Sequence, residues 1–381
     1  MKIPFNKIHI TGDEIENIKD AVDKRQLCGD GHYTAAVEDK LCSDMGLKSL
    51  KLVTSGTHAL EMATLLAGLG PGDEVIMPSF TFSSTANSVL LRGAKPVFAD
   101  IEFATLNIDC CDIQRKLSPK TKAIIPVHYG GIGCDMDRIM KIAWDNNLLV
   151  IEDAAQALYS KYKERFLGSI GHFGCFSFHS TKNYSSGEGG AIVINSSSNE
   201  TLKKAEIIRQ KGTNRESFLK GEVDRYSWVG IGSSFSPSDI LMAFLYGQLQ
   251  HQELIMKKRQ AVYNKYHEGF KELIGKGPLR SMTKIPDYCK SNYHIFYFIL
   301  ENNAVRSRFV DELKKRDISA YTHYTPLHNS KMGLSIGSGH ELLPVTEKVS
   351  EGLIRLPFYT DMTEEEADYV ISSVHSIMKV I

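Results

Sequence analysis

The chain has no excess of charge of one sign. Its 381 residues include 45 Lys and Arg and 45 Asp and Glu, which gives a formal net charge of zero. Proteins that bind nucleic acid or anionic membranes through a general attraction carry a basic surplus. The composition therefore argues against nucleic-acid and membrane partners, and a local group of residues must meet any anionic ligand.

Long apolar runs are also missing. None reaches the roughly 20 residues that span a bilayer, and residues 1–6 carry no apolar stretch of the signal-peptide type. We expect a cytoplasmic protein. The seven cysteines are odd in number and form no CxxC pair, which favours reduced thiols over a disulfide framework or a zinc site.

What is present is an alternation of strand and helix signals up to about residue 195. Short apolar runs predict strands at 50–53, 75–77, 96–99, 123–127 and 148–151, and helical spacing predicts helices at 60–66, 85–91 and 136–146. This order is typical of an α/β fold with a mainly parallel sheet and helices on both faces.

The pattern changes after a helical stretch at 236–274. A strand is predicted at 293–300, a helix at 307–316 and a further strand at 319–324, and a capping box at Thr363 and Glu366 opens the last helix. We predict a large domain over residues 1–250 and a smaller α+β domain over residues 251–381.

Two strand ends carry residues suited to ligand binding. Gly56 and Thr57 place free backbone N–H groups at a predicted helix start, which suits a phosphate or a plain helix cap. Glu152 and Asp153 end a strand at the sheet edge where open α/β folds bind ligands. Because adjacent side chains in a strand point to opposite faces, only one of them can face that crevice; a capping role for the pair stays open.

The segment 176–190 places Lys182 after an aromatic strand and beside small residues. Such a lysine taken alone more often extends into solvent, and its amine is nucleophilic only if burial or a nearby cation lowers its pKa. Four further residues favour a different interpretation of Lys182. Together with its amine, the sequence contains the groups needed to bind pyridoxal phosphate: a phosphate site at Gly56, a stacking ring at Phe82, an acid at Asp153 and a hydroxyl at Ser177.

Over essentially its whole length the chain resembles the DegT/DnrJ/EryC1/StrS sugar aminotransferases. The resemblance rests on motifs at 54–57, 78–82, 126–130, 152–156, 176–179, 182–183, 187–190 and 323–328. It implies fold type I, the aspartate aminotransferase fold, with pyridoxal 5'-phosphate as cofactor. It also implies a homodimer whose active sites are shared between subunits.

Residue roles follow from the resemblance. It implies that Lys182 forms the imine with the cofactor and carries the proton, and that Asp153 pairs with the pyridine nitrogen. It also implies that Gln156 lies against the ring and that Phe82 stacks on it. The phosphate-binding residues that it implies are Gly56, Thr57 and Ser177. Family members often add an Asn from the second subunit. Ser234 stands in its place here and has a shorter reach. The related sugar dehydratases carry His where this chain has Lys182, so the lysine argues for amine transfer.

Segments 27–31, 211–215 and 231–234 are most similar to the branch of the family that serves enterobacterial common antigen synthesis. This implies transfer of an amino group from L-glutamate to C4 of dTDP-4-keto-6-deoxy-D-glucose, giving dTDP-4-amino-4,6-dideoxy-D-galactose. A 3-keto substrate, the gluco epimer and a regulatory protein without turnover remain as alternatives.

Candidates for contacts to the nucleotide sugar are Lys211, Arg215, His323, Tyr324 and His328. Lys211 and Arg215 could meet the diphosphate or form a solvated turn. The other three could face the sugar or belong to an aromatic cluster that packs the small domain. His128 and Tyr129 follow a strand and could equally face the site or seal the sheet.

Overall fold

The computed structural model describes residues 1–196, 198–338 and 341–381. Its strands are β1 Leu50–Val53, β2 Glu74–Pro78, β3 Lys95–Ala99, β4 Thr121–Ile124, β5 Leu149–Asp153, β6 Lys161–Tyr162, β7 Arg165–Phe166, β8 Phe173–Ser177, β9 Gly190–Ile194, β10 Leu279–Met282, β11 Cys289–Lys290, β12 Tyr297–Leu300 and β13 Leu353–Arg355.

The α-helices are α1 Asp13–Asp23, α2 His32–Met45, α3 Gly56–Leu66, α4 Ser83–Leu90, α5 Cys110–Lys116, α6 Met136–Asp145, α7 Asn199–Arg209, α8 Arg215–Leu219, α9 Asp239–Gln250, α10 Gln252–Phe270, α11 Asn303–Lys315, α12 Lys331–Ser335, α13 Pro344–Gly352 and α14 Glu364–Met378. Short 3-10 turns occur at Tyr129–Gly131, Lys271–Leu273 and Leu327–Asn329. Within the described ranges, no helix has the length and apolarity to cross a membrane.

A seven-stranded sheet in the order β1-β9-β8-β5-β4-β2-β3 forms the centre of the fold. Its neighbouring strands pair in parallel, except that β9 runs antiparallel to both β1 and β8. Consecutive residues of one strand enter opposite cores: Val150 packs in the cluster on one face and Ile151 in the cluster on the other. Because both faces are covered, the strands are mostly apolar, with polar residues mainly at their ends. The topology confirms the predicted α/β class and its mainly parallel sheet.

A second, antiparallel sheet of β10, β12 and β13 packs against α10, α11 and α14. Its core is aromatic and includes Tyr266, Phe270 and Phe298. The capping box that opens α14 is confirmed, since the Thr363 and Glu366 side chains each bond the backbone N–H of the other.

The strand predicted at 319–324 is wrong. Only Tyr321 pairs there, in an isolated bridge with Arg355, because the chain then turns so that His323 and Tyr324 line the main cavity. The long helical stretch is broken at His251, which caps both α9 and α10. The domain division at residue 250 stays a prediction; Ile3, near the start of the chain, packs in the C-terminal core and bridges Ile318.

The end of β5 sends two carboxylates in opposite directions, as the strand geometry predicted. Asp153 lines the main cavity, whereas Glu152 is fully buried on the other side. Glu152 accepts hydrogen bonds from the backbone N–H groups of Gly168, Ile170 and Gly171 at 2.9, 2.7 and 2.6 Å, and its Oε2 lies 2.9 Å from His128 Nε2. Glu152 therefore holds the loop between β7 and β8 against β5.

We expect Glu152→Ala to lower the free energy of unfolding by about 3 kcal/mol or more, because each buried donor left without an acceptor costs about 1–3 kcal/mol. Glu152→Gln keeps one carbonyl acceptor and is expected to lose less. Urea unfolding followed by circular dichroism measures both. A loss below about 1 kcal/mol in the alanine variant would contradict this account of the carboxylate.

Candidate active site

The main cavity lies at the carboxyl ends of the parallel strands and has a volume of about 380 Å³. Asp153 reaches it from β5, Ser177 from β8 and Gly56 from the start of α3, while Arg355 of β13 closes it from the second sheet. The carboxyl edge is where open α/β sheets bind ligands. The topology thus brings residues from distant parts of the chain to one cavity.

One wall of the cavity is suited to a phosphate. Ser55 caps α3 by accepting the His58 N–H at 3.1 Å, so the helix begins with Gly56 in the cavity wall. A Cβ on Gly56 would lie 2.8 Å from Ser177 Cβ, which requires glycine there. The Thr57 hydroxyl lies 2.7 Å from that of Ser84. Helix N–H groups and hydroxyls together form an anion site without added positive charge.

Asp153 forms the floor of the cavity and is 6% exposed. Its carboxylate accepts the Thr85 hydroxyl at 2.8 Å and the Ala155 N–H at 3.2 Å. Burial nevertheless raises the pKa of Asp153, and these two hydrogen bonds only partly oppose the shift. A protonated pyridine nitrogen would offset the burial of this carboxylate, so Asp153 fits the ring of pyridoxal phosphate.

Lys182 lies in the turn after β8 and lines the same cavity. Burial lowers the pKa of Lys182 to about 8; the charge of Arg355 acts in the same direction, and that of Asp153 opposes both. An amine with this pKa is partly neutral near pH 7 to 8, which is the state that attacks a carbonyl carbon.

Gln156 and Phe82 line the cavity as well. The Gln156 side chain accepts the Gly130 N–H at 2.7 Å and donates to the Tyr324 hydroxyl at 2.9 Å, which fixes its orientation. Phe82 precedes α4 and is 60% exposed. An aromatic face open to a cavity suits stacking on a planar ring.

His323 and Tyr324 stack on each other with ring centroids 3.9 Å apart, and both line the cavity. They also pack on buried aromatic rings, since Tyr324 contacts Phe80 and the Tyr129 hydroxyl lies 3.2 Å from His323 Nδ1. Burial lowers the pKa of His323 far below its ordinary value, so its ring is neutral. His128 and Tyr129 are fully buried and do not line the cavity; they seal the sheet.

Four predicted site residues are not brought to the cavity of this single chain: Lys211, Arg215, Ser234 and His328. Lys211 and Ser234 are exposed on another surface, and their predicted contacts stay predictions. His328 is fully buried, with Nδ1 2.6 Å from the Ser79 hydroxyl and Nε2 3.3 Å from Glu347. Both of its ring nitrogens therefore have partners outside the cavity.

Phe5, His294 and Arg355 are among the cavity-lining residues that the sequence patterns missed. His294 Nδ1 lies 2.8 Å from Asn183 Oδ1, next to Lys182 in the chain. Burial lowers the pKa of His294 well below its ordinary value, so the ring is neutral and donates to this amide oxygen. The one sequence signal for His294 is that a polar side chain stands at the start of the apolar run 295–300.

Known proteins resemble the chain over its whole length. The model of the DegT/DnrJ/EryC1/StrS aminotransferase family matches residues 9–375. The spore coat polysaccharide biosynthesis protein SpsC of Bacillus subtilis is 31% identical, with 99% of this chain and 97% of that protein aligned. Among solved structures, Spr1654 of Streptococcus pneumoniae, described as a sugar aminotransferase and solved in its PLP form, superposes with a TM-score of 0.91 at 26% identity, covering 100% of this chain and 99% of the other.

DesV of S. venezuelae, solved in complex with a ketimine intermediate, superposes with a TM-score of 0.90 at 26% identity, covering 100% of this chain and 99% of the other. The fold and the cavity thus define a fold type I sugar aminotransferase that uses pyridoxal phosphate. The chain belongs to the DegT/DnrJ/EryC1/StrS aminotransferase family.

We expect the reactivity of Lys182 in the cofactor-free protein to be half maximal near pH 8, well below the value of about 10.4 for an ordinary lysine. The neutral amine reacts and the protonated amine does not, so labelling increases as the pH rises through the pKa. Pulse acylation read by mass spectrometry measures this, with surface lysines correcting for reagent decay.

Asp153→Asn provides the matched variant for this experiment. In the wild-type protein the negative charge of Asp153 raises the pKa of Lys182. The variant lacks this charge, so we expect its labelling midpoint at a lower pH. A wild-type midpoint near 10.4 would refute the burial argument.

Proposed function

We propose that the protein transfers the amino group of L-glutamate to C4 of dTDP-4-keto-6-deoxy-D-glucose and forms dTDP-4-amino-4,6-dideoxy-D-galactose. The observation that carries the amine transfer is the lowered pKa of Lys182 in a cavity that also holds Asp153. Support for the sugar comes from segments 27–31, 211–215 and 231–234 and from relatives described as sugar aminotransferases. The predicted cytoplasmic location belongs to this proposal.

Each residue of the cavity has a task in this proposal. When bound, pyridoxal phosphate supplies a ring that accepts electrons from the carbon next to the transferred nitrogen. The α3 N-terminus, Thr57 and Ser177 bind the phosphate, and Asp153 keeps a proton on the pyridine nitrogen. Lys182 Nζ binds the cofactor and, when free and neutral, takes the proton from the α-carbon of the amino donor.

The proposal includes a role in polysaccharide synthesis, supported by the description of the B. subtilis relative as a polysaccharide biosynthesis protein. It also includes a homodimer. Apolar side chains are exposed along one segment: Phe218, Leu219, Val223, Tyr226, Trp228, Val229 and Ile231. Patches of this kind mark interaction sites. Lys211, Arg215 and Ser234 flank the segment and do not reach the cavity of their own chain, so a second copy is the partner we propose.

We expect Trp228→Glu to shift the protein from dimer to monomer, because Trp228 is 80% exposed in the single chain and a buried unpaired charge strongly disfavours an interface. Trp144→Glu is the matched control, since Trp144 is 88% exposed on α6 away from this segment. Sedimentation velocity measures the oligomeric state of each protein, and activity is assayed at the same series of protein concentrations. A fully active wild-type monomer would refute the dimer.

The product identifies the reaction. After incubation with pyridoxal phosphate, L-glutamate and dTDP-4-keto-6-deoxy-D-glucose, we expect a proton NMR spectrum with nitrogen on C4 and a small H3–H4 coupling, because the amine of the galacto product is axial. A large coupling would indicate the gluco epimer. Unchanged ketosugar would refute this substrate and leave a 3-keto sugar or another nucleotide as the alternative.

Lys182→Ala is the control for that experiment. The variant is expected to bind the cofactor without a covalent bond and to form no product, because it lacks the amine that moves the proton. Normal steady-state turnover in this variant would refute the role of Lys182. Cofactor binding without any turnover in the wild-type protein would instead favour the regulatory alternative.

A further inference from the structure

The amine of Lys182 is carried by a segment that has little regular structure of its own. After β8 the chain forms bends and turns until β9 begins at Gly190, and Lys182 itself belongs to no helix or strand. The Lys182 backbone N–H donates to the His179 carbonyl at 2.8 Å within this segment. Because no regular element includes Lys182, contacts from outside the segment must help to fix its position.

Asn183 follows Lys182, and both polar atoms of its amide are hydrogen-bonded to one distant segment of the chain. Nδ2 donates to the Asn292 carbonyl at 2.7 Å, and Oδ1 lies 2.8 Å from His294 Nδ1. Asn183 is 6% exposed and His294 is 7% exposed. Since consecutive Cα atoms are about 3.8 Å apart, a fixed Asn183 limits where the Lys182 side chain can begin.

These two contacts determine which nitrogen of His294 carries the proton. A carbonyl oxygen only accepts hydrogen bonds, so the amide nitrogen of Asn183 must face Asn292 and the amide oxygen must face the ring. His294 Nδ1 is therefore the donor. Burial lowers the pKa of His294 well below its ordinary value and keeps the ring neutral, so Nε2 carries no proton. The ring is a donor with a fixed tautomer.

The backbone that carries His294 is itself held by a buried arginine, Arg259 of α10. The Arg259 guanidinium donates from Nη2 to the His294 carbonyl at 2.6 Å and from Nε to the Tyr293 carbonyl at 2.9 Å. Its carbon lies 4.8 Å from the ring centroid of Phe358, which lines the main cavity. Arg259 therefore fixes the place from which the imidazole reaches Asn183.

We propose that His294 is a positioning residue: through its hydrogen bond to Asn183 it holds Lys182 where the amine meets the cofactor and the amino donor. The inference rests on the proposed function, because it concerns the amine of that reaction. A competing role for the ring is a contact through Nε2, since His294 and Lys182 line the main cavity and also a second, small cavity beside it. The two roles use different ring nitrogens, so substitutions can separate them.

Amide substitutions replace one ring nitrogen at a time. The side-chain nitrogen of asparagine takes the place of Nδ1, and that of the longer glutamine takes the place of Nε2. We expect His294→Leu and His294→Gln to form the covalent bond between Lys182 and pyridoxal phosphate about 10- to 100-fold more slowly than wild type, because a displacement of about 1 Å has an effect of this size. His294→Asn should stay within about threefold of wild type, since it restores the donor.

Stopped-flow absorbance of the cofactor, mixed with cofactor-free protein, measures this rate without turnover. His375→Leu is the matched control, because it removes a histidine hydrogen bond of 2.7 Å to the Gly269 carbonyl on α14, outside the cavity. Asn183→Ala should slow the reaction as His294→Leu does. The double variant should be no slower than Asn183→Ala alone, because both substitutions remove the same hydrogen bond.

Steady-state kinetics provide a second readout. His294→Leu should lower kcat by about 10- to 100-fold and leave KM for L-glutamate and the ketosugar within about threefold of wild type, because the ring positions the amine and does not bind the substrates. Covalent binding at the wild-type rate in His294→Leu, rescue by glutamine rather than asparagine, or additive effects in the double variant would overturn the inference.

These outcomes are distinct from a failure of the proposed function. A wild-type protein that binds the cofactor through Lys182 but converts neither substrate refutes the proposed function, and the rate of covalent binding still decides the role of His294. The urea midpoint of each variant establishes that it is folded. If His294→Leu does not fold, the comparison of His294→Asn with His294→Gln decides: a slower glutamine variant supports the inference, and an equal or faster one overturns it.

Discussion

The burial of Asp153 and Lys182 in one cavity is the constraint on which the site depends. Removal from water raises the pKa of the carboxyl group and lowers that of the amine, so each group is displaced toward its neutral form. The charge of each group stabilises the charged form of the other, and the hydrogen bonds from Thr85 and Ala155 only partly oppose the effect of burial on Asp153. The cavity is therefore arranged around a ligand with a cationic nitrogen and a carbonyl carbon.

The opposite side of β5 provides the rigidity that this arrangement needs. Glu152 accepts hydrogen bonds from three backbone N–H groups and contacts His128. These contacts fix the loop that leads into β8. Because β8 carries Ser177 and leads to Lys182, the position of the amine depends on a carboxylate that never meets the ligand. Because adjacent side chains of a strand point to opposite faces, Glu152 stabilises the fold while its neighbour Asp153 faces the cavity.

The second sheet and the loops next to it contribute another part of the cavity. His294, His323, Tyr324 and Arg355 come from this part of the chain. Both histidines are kept neutral by burial, so Arg355 is the cation there. The parallel sheet thus holds groups suited to a cofactor, whereas the later part of the chain adds two neutral imidazole rings, a phenol and an arginine to the same cavity.

The sequence by itself determined the α/β class, the capping box of α14 and the group formed by Gly56, Phe82, Asp153, Ser177 and Lys182. These follow local rules: strand runs, helix starts, and residues at the ends of parallel strands, which meet at one edge. Only the tertiary structure decided that Phe5, His294 and Arg355 reach the cavity, that His328 does not, and that residues 319–324 form no strand. Their positions depend on packing between segments far apart in the chain, for which no local pattern exists.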